Sequence, residues 1–175
     1  ERISAVGSKV IALDLSTNVN LKKVVFTGAK LENLVLPNNS KLEEVDFDHT
    51  KLTVIDFKNN VRLKKIKLFR NQQLRGVNIS LCTDLREIEA TENGLAAIDI
   101  SQNTALGKAF LKNNRLENIV LPVYSRQLRT LGLNNNNLDN INTSGLVNLS
   151  TLSLNNNNFT TLNVTHNRFL RVLYC

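Results

Sequence analysis

The sequence predicts a mainly-β repeat solenoid: a parallel-stranded concave sheet with short strands and turns on the convex side. Three observations predict it. An apolar motif returns about every 21 residues along the chain, asparagines recur at a constant offset from that motif, and the gaps between motifs are too short for long helices. With 175 residues the chain can bury a substantial single core.

The motif is apolar-x-x-apolar-x-apolar. It starts at Leu21, Leu42, Leu63, Leu85, Leu106, Leu128, Leu149 and Leu170, with second half-repeats from Leu31, Leu52, Leu74, Leu95, Leu116, Leu138 and Phe159. One winding cannot bury its own apolar side, but stacked windings roof one another. The end of each motif forms a short strand whose alternate residues point inward, and neighbouring strands pair in parallel about 4.8 Å apart. Inward positions run from Val24 and Phe26 to Leu152 and Leu154, ending with Leu173 and Cys175. Residues 1–20, with Ile3, Val6, Val10, Leu13 and Leu15, are expected to form a partial N-terminal coil or cap. Residues 21–175 then hold about seven coils and a truncated last strand. An open strand edge over an apolar core is a liability, so the natural protein is expected to continue past Cys175 or to meet a partner end to end there.

Asn71, Asn93, Asn114, Asn136 and Asn157 each follow the first Leu of their coil by eight residues. A second row comprises Asn18, Asn39, Asn60, Asn103 and Asn167, interrupted by Cys82, Tyr124 and Leu146. Inward-turned backbone groups at coil corners are out of reach of water. An amide side chain offers both donor and acceptor, so the stacked Asn are expected to bridge those groups from coil to coil.

The alternation of L-x-x-L-x-L-x-x-N-x-L with L-x-x-L-D-x-S-x-N, nearly undiluted at Val10–Asn18 and Leu95–Asn103, resembles the 21-residue bacterial leucine-rich repeats, internalin-like surface proteins among them. The resemblance covers nearly the whole chain. It implies a leucine-rich-repeat fold and an extracellular or cell-surface setting, and leaves the ligand open. Cys175 stands where some internalin-type repeats place a ladder of cysteines, a column filled here by Phe26, Phe47, Leu68, Ala90, Leu111, Leu133 and Leu154.

A net charge of +7 and a pI near 9.7 raise the question of an anionic partner. The outward strand positions answer it in part. Successive coils offer Lys23, Val25 and Thr27; Glu44, Asp46 and Asp48; Lys65, Lys67 and Phe69; Glu87, Glu89 and Thr91; Lys108, Phe110 and Lys112; then the neutral Thr130, Gly132, Asn134 and Thr151, Ser153, Asn155. Charge alternates from coil to coil, as suits a cross-strand salt ladder. Acidic rows oppose nucleic acid, which wants a groove of one sign with stacking aromatics. Phe69 and Phe110, rimmed by Lys65, Lys67, Arg70, Lys108 and Lys112, resemble the anchor and rim of a protein interface. Tyr174 projects similarly, and Tyr124 lies in the longer connection Pro122–Gln127.

No catalytic constellation is present. His49 and His166 stand about five to six coils apart, and no Ser lies in register beside either. Glu44, Asp46, Asp48 and His49 imitate a metal site, but lysines flank them and calcium needs six to eight converging oxygens. No metal or cofactor is expected. Cys82 and Cys175 are about four coils apart, beyond disulfide reach, and both are expected to be buried. The Asn-x-Ser/Thr strings at Asn38, Asn142 and Asn163 are by-products of an Asn-rich repeat. No apolar run approaches the roughly 20 residues of a membrane helix. The expected function is a non-enzymatic recognition or adhesion module that binds a protein partner. A glycan or glycosaminoglycan-binding module and a structural spacer within a longer surface protein are the alternatives.

Overall fold

A computed structural model describes residues 1–38 and 41–175. Asn39, one expected rung of the second Asn row, and Ser40, which completes the Asn38 string, lie outside the described residues.

Among the described residues the chain forms about eight parallel-stranded turns and no helix. The first coils alternate a strand of the main sheet with one on the far side: β1 (Arg2–Val6), β2 (Ala12–Asp14), β3 (Lys23–Thr27), β4 (Asn33–Val35), β5 (Glu44–Asp46) and β6 (Val54–Asp56). The middle coils continue with β7 (Lys65–Lys67), β8 (Gly76–Asn78), β9 (Glu87–Glu89), β10 (Ala97–Asp99), β11 (Lys108–Phe110) and β12 (Asn118–Val120). The last coils contribute β13 (Thr130–Gly132), β14 (Thr151–Ser153) and β15 (Val172–Tyr174) to the main sheet alone. Nine strands run β1-β3-β5-β7-β9-β11-β13-β14-β15, and the far-side strands pair as β2-β4, β6-β8 and β10-β12. Residues 1–20 therefore supply the first strand of each kind, with Ile3 opposite Val24 and Leu13 opposite Leu34.

The register aligns Glu44, Lys65, Glu87 and Lys108 in one outward row and Asp46, Lys67, Glu89 and Phe110 in the next. Inward columns close the core, where Leu42, Leu63, Leu85, Val45, Ile66 and Ile88 are fully buried. Each such aliphatic side chain contributes about 1.5–3 kcal/mol of burial.

The corners are held by amides. Asn71 Nδ2 donates to Phe47 O at 2.7 Å while its Oδ1 accepts from Thr50 N at 2.7 Å. Asn114, Asn136 and Asn157 repeat the arrangement, each donating to a carbonyl of its own coil and one of the coil before. Asn93 differs: its Oδ1 accepts from Asn71 N at 2.8 Å, but its buried Nδ2 has no hydrogen-bond partner among the described residues. In the second row, Asn103 Nδ2 reaches Ile79 O and Cys82 O, and Asn167 reaches Thr143 O and Leu146 O. Cys82 replaces an amide there, its Sγ 3.7 Å from Phe57 O and Asn60 O, and burial pushes its thiol up to about 12.

On the convex side, Asp14, Asp56, Asn78, Asp99, Asn142 and Asn163 each accept from the backbone N–H two residues on, closing Asx turns. The two remaining coils carry Pro37 and Pro122 at that N–H position, and Val35 and Val120 where the Asx would be. Proline has no N–H to cap, so nothing there requires an acceptor. The exposed Val35 and Val120 are accounted for by that exchange.

Several positions depart from the alternation. Cys175, expected inside, is exposed because no further strand lies over β15. Thr91, on the row between Phe69 and Lys112, is 1% exposed, and Val25 and Gly132 are buried too. Tyr124 does not occupy the Asn column. It is exposed, and the buried Ser125 takes the corner, its Oγ accepting from Gln127 N and Leu128 N. The coil from Leu106 to Leu128 is one residue longer than its neighbour, which shifts the column by one place.

Candidate interaction surface

Parallel, in-register pairing turns the outward residues of the main sheet into continuous rows on its concave face, and the rows fall into distinct chemistries. In the N-terminal half, cations meet acids one coil away. Lys23 Nζ lies 2.6 Å from Glu44 Oε1, Lys64 Nζ 2.9 Å from Glu43 Oε2, Lys65 Nζ 2.8 Å from Glu87 Oε1, and Lys67 Nζ 3.9 Å from Asp46 Oδ2. The hydrogen bond to Glu87 holds the Lys65 ammonium above its ordinary range. Glu44, Asp46 and Asp48 each face a different partner, so they do not converge. Among the described residues, no group of three or more His, Cys, Asp or Glu side chains could hold a metal ion.

Phe69 is half-buried in a cluster of its own. The Arg70 guanidinium lies 4.5 Å from its ring centroid, and the His49 ring meets it edge-on at 6.2 Å and 80°. Arg70 Nε also bonds Glu92 Oε2 at 2.9 Å, while His49 Nδ1 lies 2.8 Å from Asp48 Oδ1. Lys65, Lys67 and Arg70 are thus all engaged within the molecule.

Lys108, Phe110 and Lys112 on and just after β11 behave differently. Among the described residues neither lysine has an ion-pair partner, and both are exposed. Phe110 is half-buried because its ring lies over Gly132, where an added Cβ would sit 3.6 Å from Cδ1. Phe69 and Phe110 occupy different rows on strands two apart, so their backbones stand about 12 Å from each other. Glu89 and Thr91 come between them, and the two rings do not touch. Tyr174 is 54% exposed on the edge strand β15.

One feature of every coil is not announced by the Leu and Asn columns. The residue just before the first Asn column has a left-handed backbone: Gly7 and Gly28, then His49, Arg70, Glu92, Asn113, Asn135 and Asn156, with φ between 52° and 64°. Gly and Asn adopt this conformation readily, whereas His, Arg and Glu do so at a cost. The Gly and Asn at this offset were the available signal. The three costly residues lie in consecutive coils around Phe69, where their side chains make the contacts just described.

The fold is a leucine-rich-repeat solenoid. The functional domain of InlJ from Listeria monocytogenes, described as including a cysteine ladder, superposes with a TM-score of 0.75 at 23% identity, over 95% of this chain and 42% of that one. The leucine-rich-repeat domain of APL1B superposes at 0.72 and 22% identity, over 90% of this chain and 50% of that one. A chain of the LRIM1/APL1C complex gives 0.68 and 20%, over 91% and 36%. This chain therefore spans half or less of the length of these structures. No family model and no curated protein matches it. No helix among the described residues is long and apolar enough to cross a membrane.

Proposed function

We propose that this solenoid is a protein-recognition or adhesion module of a bacterial surface or secreted protein, and that it binds through its concave face. The observation that carries this reading is the Lys108–Phe110–Lys112 strip. On and just after β7, Lys65, Lys67 and Arg70 are each paired with an acid of an adjacent coil, and Phe69 is flanked by Arg70 and His49. In the strip a half-buried aromatic stands between two exposed lysines that have no ion-pair partner among the described residues, the makeup of an anchor with a polar rim. Phe69, with Arg70 stacked on it, offers a second anchor one row away. The internalin-like repeat pattern supports the bacterial surface setting.

The test immobilises the chain, recovers a bound surface protein, and measures its affinity for wild type, Phe110→Ala and Phe69→Ala. Phe110→Ala should weaken binding at least about tenfold, the scale of a lost hot spot, with a near-normal melting temperature. Unchanged affinity in both variants would move the site off this face. The net charge keeps an acidic-glycan reading in play, which predicts affinity falling steeply with salt.

A further inference from the structure

At the entrance to the sheet strands a second row runs Glu1, Lys22, Glu43, Lys64, Arg86, Gly107 and Arg129. Its first half alternates in sign and is paired, Lys22 with Glu1 at 3.1 Å and Lys64 with Glu43 at 2.9 Å. The alternation then breaks. Arg86 stands where an acid would, and between Arg86 and Arg129 the chain has Gly107, where the row opens into a hollow of about 910 Å³ that Arg86, Gly107, Lys108 and Arg129 help to line.

Nothing in the backbone demands glycine there. Its φ is not left-handed, and an added Cβ would meet only Arg86 O at 3.6 Å and Gln127 O at 3.7 Å, ordinary contacts. The missing side chain therefore leaves space without relieving strain. Arg86, Lys108 and Arg129 surround that space, and among the described residues none has an ion-pair partner. Glu87, the one carboxylate on the rim, is 2.8 Å from Lys65 on the far side.

We infer that the hollow at Gly107 is a binding site for a carboxylate of an acidic protein partner, seated between Arg86 and Arg129 with Lys108 beside it. The inference rests on the concave surface being a recognition surface, and it names the chemistry of what is recognised. Arginine presents two parallel donors to a carboxylate, and flanking strands about 10 Å apart in all leave room for one such group between them. The charge is local. Toward the N-terminus the row of Lys108 meets Glu87, and toward the C-terminus it meets the neutral Thr130 and Thr151. A long polyanion would run onto the acids, whereas a single acidic side chain would not.

The test is fluorescence anisotropy at low salt, using a labelled octapeptide of alternating Glu and Gly, its Gln counterpart, and a heparin tetrasaccharide. The Glu peptide should bind and the Gln peptide should not. Arg86→Gln and Arg129→Gln should each weaken binding at least about tenfold, as loss of a bidentate contact does. Gly107→Glu should abolish binding at an unchanged or raised melting temperature, because it supplies the carboxylate internally; should it misfold, the two Arg variants carry the test. Lys22→Ala and Phe110→Ala should leave peptide affinity as in wild type, so this site and the aromatic anchor fail separately. Three results would overturn the inference: no binding of the Glu peptide, an equal loss with Lys22→Ala, or tighter heparin binding that ignores Gly107→Glu.

Discussion

The coils around β5, β7 and β9 and those around β13 and β14 share one backbone plan, yet they are joined across their faces by different means. In the first group the outer rows carry Glu44, Lys65 and Glu87, and the left-handed corners are His49, Arg70 and Glu92. Contacts between coils there are ionic, such as Arg70 to Glu92 at 2.9 Å. In the second group the rows carry Thr130 and Thr151, and the left-handed corners are Asn135 and Asn156. Asn156 Nδ2 donates to Asn135 Oδ1 at 2.6 Å, and Asn135 in turn donates to Asn113. The C-terminal half thus places at each strained corner a residue that tolerates it and bonds its neighbour. The coils around β5, β7 and β9 spend conformational energy to hold His49, Arg70 and Glu92 at that corner. Departure from the less strained solution marks where side-chain identity was retained for something other than stacking.

The largest expected effect comes from the buried amides. Asn136 Nδ2 reaches Leu111 O at 3.0 Å and Leu133 O at 2.9 Å, and its Oδ1 accepts from Leu116 N at 3.0 Å. Asn136→Ala strands three backbone groups and should cost about 3 kcal/mol, whereas Asn93→Ala, with one bond to lose, should cost about 1 kcal/mol. Urea unfolding of both variants measures the difference. Equal losses would mean that water inside the corner serves Asn93 as well as carbonyls serve Asn136.

The left-handed corners should respond next. His49→Asn and Glu92→Asn should each stabilise by roughly 0.5–1 kcal/mol, the relief of a left-handed conformation offset by the weak surface pairing that the original side chain made. Asn135→Ala should destabilise by about 1 kcal/mol, losing both the conformational preference and the amide bond. Melting temperatures read all three. A stabilised Glu92→Asn that also binds its partner less well would place the strained corners in the recognition surface.

How much of this was legible depended on the kind of constraint. Strand register was, because a column such as Leu63, Leu85 and Leu106 must be in phase to be buried, and burial is written in residue type. From register follow the rows that put Lys65 beside Glu87 and Phe110 beside Glu89. Which neighbour a long side chain chooses was not. Lys67 lies between Asp46 and Glu89 in the row and leans to Asp46, a choice set by rotamers. Nor was the hollow at Gly107 legible: it consists of a side chain that is missing, and becomes visible only when its row is laid beside Arg86 and Arg129. The exposure of Tyr124 was obscured by one extra residue between Leu106 and Leu128, since a fixed spacing cannot register where in a coil an insertion falls.

The smallest expected effect is the most direct probe of the contrast between the halves. The hydrogen bond from Lys64 holds the Glu43 carboxyl below its ordinary value of 4.5, and Glu1 is held down by Lys22 in the same way. A depressed carboxylate contributes stability at pH values above its unfolded pKa and loses it as pH falls through the folded one. The raised Lys65 works in the opposite sense: its contribution is present below 10.5 and is lost as pH rises through its higher folded value. Acid below about pH 4 should therefore loosen the N-terminal coils by protonating the acids, while mild alkali should not. Hydrogen exchange, corrected for intrinsic rates, reads this at Phe47 N and Leu68 N, which donate to Lys67 O and Glu89 O, against Leu133 N, which donates to Ser153 O. Protection at the first two should fall about threefold in 1 M salt, the scale of screening exposed pairs. Protection at Leu133 should hold, since among the described residues no ion pair joins its coil to the next. A fall of the same size at Leu133 would show that the ion pairs merely decorate a sheet held equally everywhere by its core, and that the charged corners need another reason to exist.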